Sequence, residues 1–146
     1  MREFFNSTYT VPAVSPITSV TNEVLTAIAV DRLNFESALF EIAIGAKTDG
    51  AVAVEVQESD ASGSGYTAAA DADLIGLEAT AGVADSTAGA NSVRKIGYKG
   101  IKRYLKLVLT ITSNAGSLPI SATCLLGHGR HVPAQGADGA AITQVP

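Results

Sequence analysis

Two histidines, His128 and His131, stand three residues apart with Arg130 between them. On a helix that spacing could present two imidazoles to one metal ion. Gly127, Gly129 and Pro133 surround the pair and oppose a helix. No cysteine or carboxylate lies nearby at ligand spacing, so the pair reads as an exposed or interface loop. Asp71 and Asp73 offer two carboxylates, but without the periodic acids and closing Glu of a calcium loop they read as a solvated turn. Ser62-Gly63-Ser64-Gly65 lacks the following Lys-Ser/Thr of a phosphate cradle. There is no Gly-x-Ser-x-Gly elbow. Cys124 is the single cysteine and cannot form an intrachain disulfide; in the pattern described below it falls on an apolar strand face and reads as a small buried hydrophobe. No nucleophile, base and orienting group are seen at matched spacing. The expectation is a protein that is not an enzyme, with no catalytic residues, no metal and no cofactor.

The densest chemical signal is basic. Arg94, Lys95, Lys99, Lys102, Arg103 and Lys106 crowd one short stretch, with Tyr98 and Tyr104 interleaved. Aromatic side chains among cations can stack nucleobases. Tyr and Arg are equally the preferred anchors of protein–protein contacts. The charge balance bears on the choice. Residues 1–85 carry thirteen acids and three bases, a balance of −10, whereas residues 86–146 carry seven bases and one acid, a balance of +6; the whole is −4. An acidic whole repels phosphate at long range, and acidic and basic strands can pair across one sheet. We therefore expect a protein–protein contact at Arg94, Lys95, Tyr98, Lys99, Lys102, Arg103 and Tyr104, and no direct nucleic-acid binding.

The elements that would position these residues are strands. Phe40, Ile42 and Ile44 share one face at period two, as do Val52, Val54 and Val56 after the Asp49-Gly50 turn signal, which together predict a β-hairpin over residues 38–58. Leu105, Leu107, Leu109 and Ile111 alternate with Tyr104, Lys106, Val108 and Thr110. After Ser113-Asn114-Ala115-Gly116, Ile120, Ala122, Cys124 and Leu126 alternate with Ser121, Thr123 and Leu125, predicting a second hairpin. Val24–Val30 and residues 91–98 read as further strands. Residues 73–77 read as a short strand or one helical turn. Residues 78–91, rich in Ala, Gly, Ser and Thr, read as a long mobile loop.

No amphipathic helix of useful length and no internal repeat is present. The expected fold is all-β: an antiparallel β-sandwich or jelly-roll-like barrel. The chain of 146 residues is long enough for one domain with a core of its own. Residues 1–22 are set apart as an extended N-terminal arm because Pro12 and Pro16 limit regular pairing. Residues 23–133 form the expected sandwich body, and residues 134–146 an irregular tail. The arm carries Phe4, Phe5 and Tyr9, too apolar for a solvated segment. It is expected to add little to the stability of the body and much to attachment. No apolar run follows the charges of Arg2 and Glu3, so no secretory leader is expected, and no run is long enough to span a membrane. The Asn6-Ser7-Thr8 glycosylation triplet reads as chance.

Three stretches carry a resemblance. Val54-Glu55-Val56-Gln57-Glu58-Ser59-Asp60 closes one strand. Val93-Arg94-Lys95-Ile96-Gly97-Tyr98-Lys99-Gly100 leads into Lys102-Arg103-Tyr104-Leu105. Leu126-Gly127-His128-Gly129-Arg130-His131 stands near the end. In this order, over about residues 38–133, the chain resembles the small structural proteins encoded among the head genes of tailed bacteriophages. The resemblance implies a virion protein made in the host bacterial cytoplasm. It would decorate and stabilise the capsid as a cement protein, as a trimer on the capsid surface, with the major capsid protein shell as partner. A head–tail connector, neck or tail component is the nearest alternative. A carbohydrate-binding β-sandwich is a third, opposed by the absence of Trp.

Overall fold

A computed structural model describes residues 4–131 and 134. The strands, in chain order, are β1 (Tyr9–Ser19), β2 (Glu23–Thr26), β3 (Val30–Asp31), β4 (Phe35–Ile44), β5 (Ala51–Ser59), β6 (Thr67–Ala68), β7 (Leu74–Ile75), β8 (Ser92–Tyr98), β9 (Tyr104–Thr112) and β10 (Leu118–Gly129). One short helix, α1 (Glu78–Ala81), lies between β7 and β8. The strands form two antiparallel sheets. One runs β1-β10-β4-β8-β7 and the other β2-β9-β5-β6, with β3 also paired to β9. The fold is the expected all-β sandwich.

Period two explains the core. Phe40, Ile42, Ile44, Val52, Val54, Val56, Leu105, Leu107, Leu109, Ile120 and Leu126 all point between the sheets and are buried. Each such side chain removed from water contributes about 1.5–3 kcal/mol. Cys124 lies in the same layer, fully buried, and burial pushes its thiol up to about 12. Native protein at pH 8 is therefore expected to resist an aromatic disulfide reagent and to react fully once denatured. Rapid labelling of the native thiol would contradict this packing.

The two expected hairpins are corrected. β4 pairs with β10 and β8, whereas β5 pairs with β9 and β6. The Asp49-Gly50 turn thus carries the chain from one sheet to the other. The connection from β9 to β10 also crosses between sheets. An alternating pattern fixes which face of a strand is apolar, but that face is the same whether the next strand lies beside it or opposite it. Lys47 supports the first crossing: it is buried, and its ammonium donates to the carbonyls of Gly50 and Ala84, the latter at 2.7 Å.

Two further expectations change. The N-terminal segment is extended but not separate: β1 pairs antiparallel with β10 from Tyr9↔Leu126 to Ser19↔Leu118, and Ala13 and Val14 are buried. Register shifts between Pro12 and Val14 and between Val14 and Ile17 accommodate the prolines, which an edge strand tolerates because one row of its N–H groups faces outward. Residues 78–91 are not a featureless loop. Glu78 Oε1 accepts from Val56 N at 2.7 Å, Val83 exchanges two backbone bonds with Val52, and Ala81 and Val83 are buried. Residues 73–77 supply β7 rather than a helical turn. Of the expected tail only Ala134 is described, and the rest lies outside the described residues.

Candidate protein–protein interface

The basic cluster from Arg94 to Lys106 is contiguous in sequence and dispersed in space. Successive residues of a strand face opposite ways, and β8 and β9 belong to different sheets. Lys95 lies on the outer face of the first sheet and is exposed, while Arg94 faces the other way and is half-buried. Tyr104 and Lys106 lie on the outer face of the second sheet, and Lys99 is exposed in the connection between β8 and β9. Tyr98 is in the core at 0% exposure, which removes it from the expected contact.

Three of the six bases already have partners within the chain. Arg103 grips Asp31 through two parallel bonds, Nε–Oδ1 at 2.9 Å and Nη2–Oδ2 at 2.7 Å, and its guanidinium lies 4.9 Å from the centre of the Tyr104 ring. The bond from Arg103 holds the Asp31 carboxyl below its ordinary value. Lys102 pairs with Asp60. Lys106 Nζ sits 4.1 Å from the centre of the Tyr66 ring. The acidic half and the basic half of the chain thus meet on neighbouring strands.

Sequence reasoning passed over Arg32. It is buried, and its guanidinium donates to three carbonyls: Nε to Lys102 O at 2.6 Å, Nη2 to Gly100 O at 2.6 Å and Nη1 to Glu36 O at 3.2 Å. It also lies 4.9 Å from the centre of the Tyr98 ring. The Tyr98 hydroxyl donates to Glu58 Oε2 at 2.5 Å and accepts from Lys102 N at 3.1 Å. Desolvation, reinforced by Glu58, pushes the phenol well above its ordinary value. Gly100 is required here, since a Cβ would come within 2.4 Å of the Tyr98 hydroxyl oxygen. The result is a polar knot that fixes the segment carrying Lys102 and Arg103. A lone Arg between Asp31 and Leu33 gives no sequence signal of burial.

The aromatic residues of the N-terminus do present a surface. Phe4 is 68% exposed and Phe5 43%. They are held rather than loose: a 3-10 turn over Phe5–Ser7 directs Ser7 N, Ser7 Oγ and Thr8 Oγ1 onto Phe4 O at 3.3, 2.9 and 3.0 Å. Tyr9 packs on Phe35 with ring centres 5.9 Å apart, and Ala134 N donates to Asn6 O at 2.7 Å. Beside Phe4 opens a groove of about 430 Å³, lined by Leu39 and Leu125 and by His128 and His131. His128 has a positive φ of 53°, and its Nδ1 lies 2.8 Å from Ser37 Oγ. The two histidines belong to this groove. Among the described residues no group of three or more His, Cys, Asp or Glu is placed to hold a metal ion, and no helix is long and apolar enough to cross a membrane.

Fold and surface together define a class: an antiparallel β-sandwich with an aromatic end turned outward. No protein-family model and no curated protein matches the sequence. Among solved structures the chain is similar to the PBSX exported protein XepA, with a TM-score of 0.52 and 14% identity over 94% of this chain and 43% of that one. The chain therefore spans less than half the length of XepA, and the likeness shows a shared fold. Looser likenesses are the SPBc2 prophage-derived protein YomS, at TM-score 0.41 and 11% identity over 81% of this chain and 94% of that one, and the CBM22-1-GH10 modules of Clostridium thermocellum endo-1,4-beta-D-xylanase 10B, complexed with xylohexaose, at 0.42 and 11% over 91% and 28%. These define neither a ligand nor a partner for this chain.

Proposed function

We propose that the chain is a non-enzymatic structural protein of a tailed-phage particle, seated in many copies on the capsid exterior and attached to the major capsid protein through its Phe4–Phe5 end. The observation that carries the attachment is an exposed aromatic pair fixed by a hydrogen-bonded turn beside a groove. Aromatic side chains held in place lose little entropy on docking and are common anchors of binding energy. The order of motifs, which resembles phage head proteins, supports the particle. Stabilisation would follow from mass action, since a protein that binds only the assembled shell shifts the equilibrium toward it. A carbohydrate platform is disfavoured because the rings of Tyr66 and Tyr104 are already covered by Lys106 and Arg103.

The test is occupancy on shells from the phage that encodes the chain, measured by co-sedimentation and electron microscopy. The double change Phe4→Ser and Phe5→Ser is expected to lower occupancy at least about tenfold, as loss of two interface anchors implies. The melt of the free protein should move little, because both residues are exposed. Unchanged occupancy would overturn the attachment site. Density confined to the neck or tail would overturn the capsid assignment.

A further inference from the structure

The outer face of the first sheet points to a second copy of this chain. Its central strands β4 and β8 are register partners, so their outward residues stand side by side: Leu39 with Gly97, Glu41 with Lys95, and Ala43 with Val93. Val93 is 67% exposed, and Ala43 and Lys95 are exposed with it. Ile75 of β7, 61% exposed, lies against Gly97 on the same face. Glu41 and Lys95 form the central charged pair, and among the described residues neither has an ion-pair partner within 4.0 Å. The face thus carries one acid and one base among Leu39, Ala43, Val93 and Ile75, with Ser121 and Thr123 of β10 beside Ala43 and Glu41. Exposed apolar side chains grouped on one sheet face commonly mark a contact.

We propose that two copies pair face to face through this surface, about a two-fold axis lying in the interface along the strands between β4 and β8. That axis sets each outward residue of β4 over its register partner from the other copy. Glu41 meets the second copy's Lys95 and Lys95 meets its Glu41. Leu39 meets the exposed Ile75 side chain that lies against the buried Gly97, and Ala43 meets Val93. The perpendicular in-plane axis through the charged row would instead set Glu41 on Glu41 and Lys95 on Lys95, and like charges decide against it. Aligned sheets pack about 10 Å apart, close enough for these side chains to interdigitate. Four strands by seven residues span about 20 by 25 Å, from the usual strand spacing and rise. That footprint is smaller than the ~800 Å² per partner of a stable complex, so the pairing is weak in dilute solution. It strengthens where copies are concentrated on a common surface. The pairing face shares Leu39 with the groove beside Phe4, but the pairing does not depend on the shell assignment.

The test is sedimentation equilibrium of the full chain from micromolar to millimolar concentration. Wild type is expected to follow a monomer–dimer equilibrium. Glu41→Lys gives a face with two bases and Lys95→Glu a face with two acids, so each alone should dimerise at least about tenfold more weakly, a change of about 1.4 kcal/mol. An equimolar mixture of the two should recover dimers, because unlike faces then meet. Val93→Arg should abolish pairing in either background while the melt shows a folded chain. A strictly monomeric wild type, a trimer, or single variants that mix without recovery would each overturn the proposal.

Discussion

A chain lacking residues 1–19 is expected to lose its cooperative unfolding transition. The removed segment contains all of β1, which makes eight register pairs with β10. At the low end of a net backbone hydrogen bond, about 0.5 kcal/mol per pair, the ladder alone contributes about 4 kcal/mol. The burial of Ala13 and Val14 and the packing of Tyr9 and Val11 on the core add to it. A domain of this size has about 5–15 kcal/mol in total. β1 also joins the two sheets at their shared side, since Ile28 N donates to Ala13 O at 2.9 Å. Without it β10 becomes an open edge, and Cys124, whose register partner is Val11, loses part of its cover. Thermal circular dichroism should show a broad or absent transition, and the thiol should label without denaturant. A truncated chain that melts within a few degrees of the full one, with its thiol protected, would restore the picture of a detachable arm.

That reversal shows which features the sequence made legible. In β4, β5, β9 and β10 one face is continuously apolar and the other mixed, so period two located them and every expected core residue among them is buried. β1 breaks this pattern: Ala13 and Val14 are adjacent and both buried, because the register shifts between Pro12 and Val14. Two prolines and a broken alternation resemble an unpaired arm until the partner strand is known. Residues 78–91 misled for the opposite reason. Small residues such as Ala81 look unable to form a core, yet they fill the narrow space beside β5. The candidate contact surface was legible only in part. Proximity along the chain grouped Arg94 through Lys106, but strand alternation and the passage from one sheet to the other placed Lys95 and Tyr104 on the outer faces of different sheets and Tyr98 in the core. Phe4 and Phe5, which the sequence assigns to attachment, are exposed, and no apolar periodicity claims them. Arg32 was invisible, since its partners are backbone carbonyls and no side-chain pattern announces them.

Replacing Arg32 with Met is expected to cost about 3–5 kcal/mol, since a hydrogen bond from a charged donor contributes about 1.5–3 kcal/mol and three are lost, not all of them to buried acceptors. Methionine approximates the length of the side chain, so the cavity contribution stays small and the loss reports the polar contacts. Three carbonyls, those of Gly100, Lys102 and Glu36, lose a charged donor, and that of Gly100 is buried from water. The face of the Tyr98 ring loses its cation as well. Arg32→Lys should recover little, because one ammonium cannot reproduce a planar fork that reaches carbonyls on both sides of the 100–102 segment. Tyr98→Phe should cost less, about 1–2 kcal/mol, since it removes the bond to Glu58 and the acceptor for Lys102 N but keeps the ring. The guanidinium and the phenol hold the same segment, so the double variant should lose less than the sum of the single ones. Urea denaturation of the four variants measures all of this. If Arg32→Met stays within about 1 kcal/mol of wild type, the typical net value of one neutral hydrogen bond, the knot is not what fixes this segment. Strict additivity would separate Arg32 from Tyr98. A large loss with clear coupling would show that Lys102 and Arg103 face Asp60 and Asp31 because a buried arginine shapes the backbone beneath them.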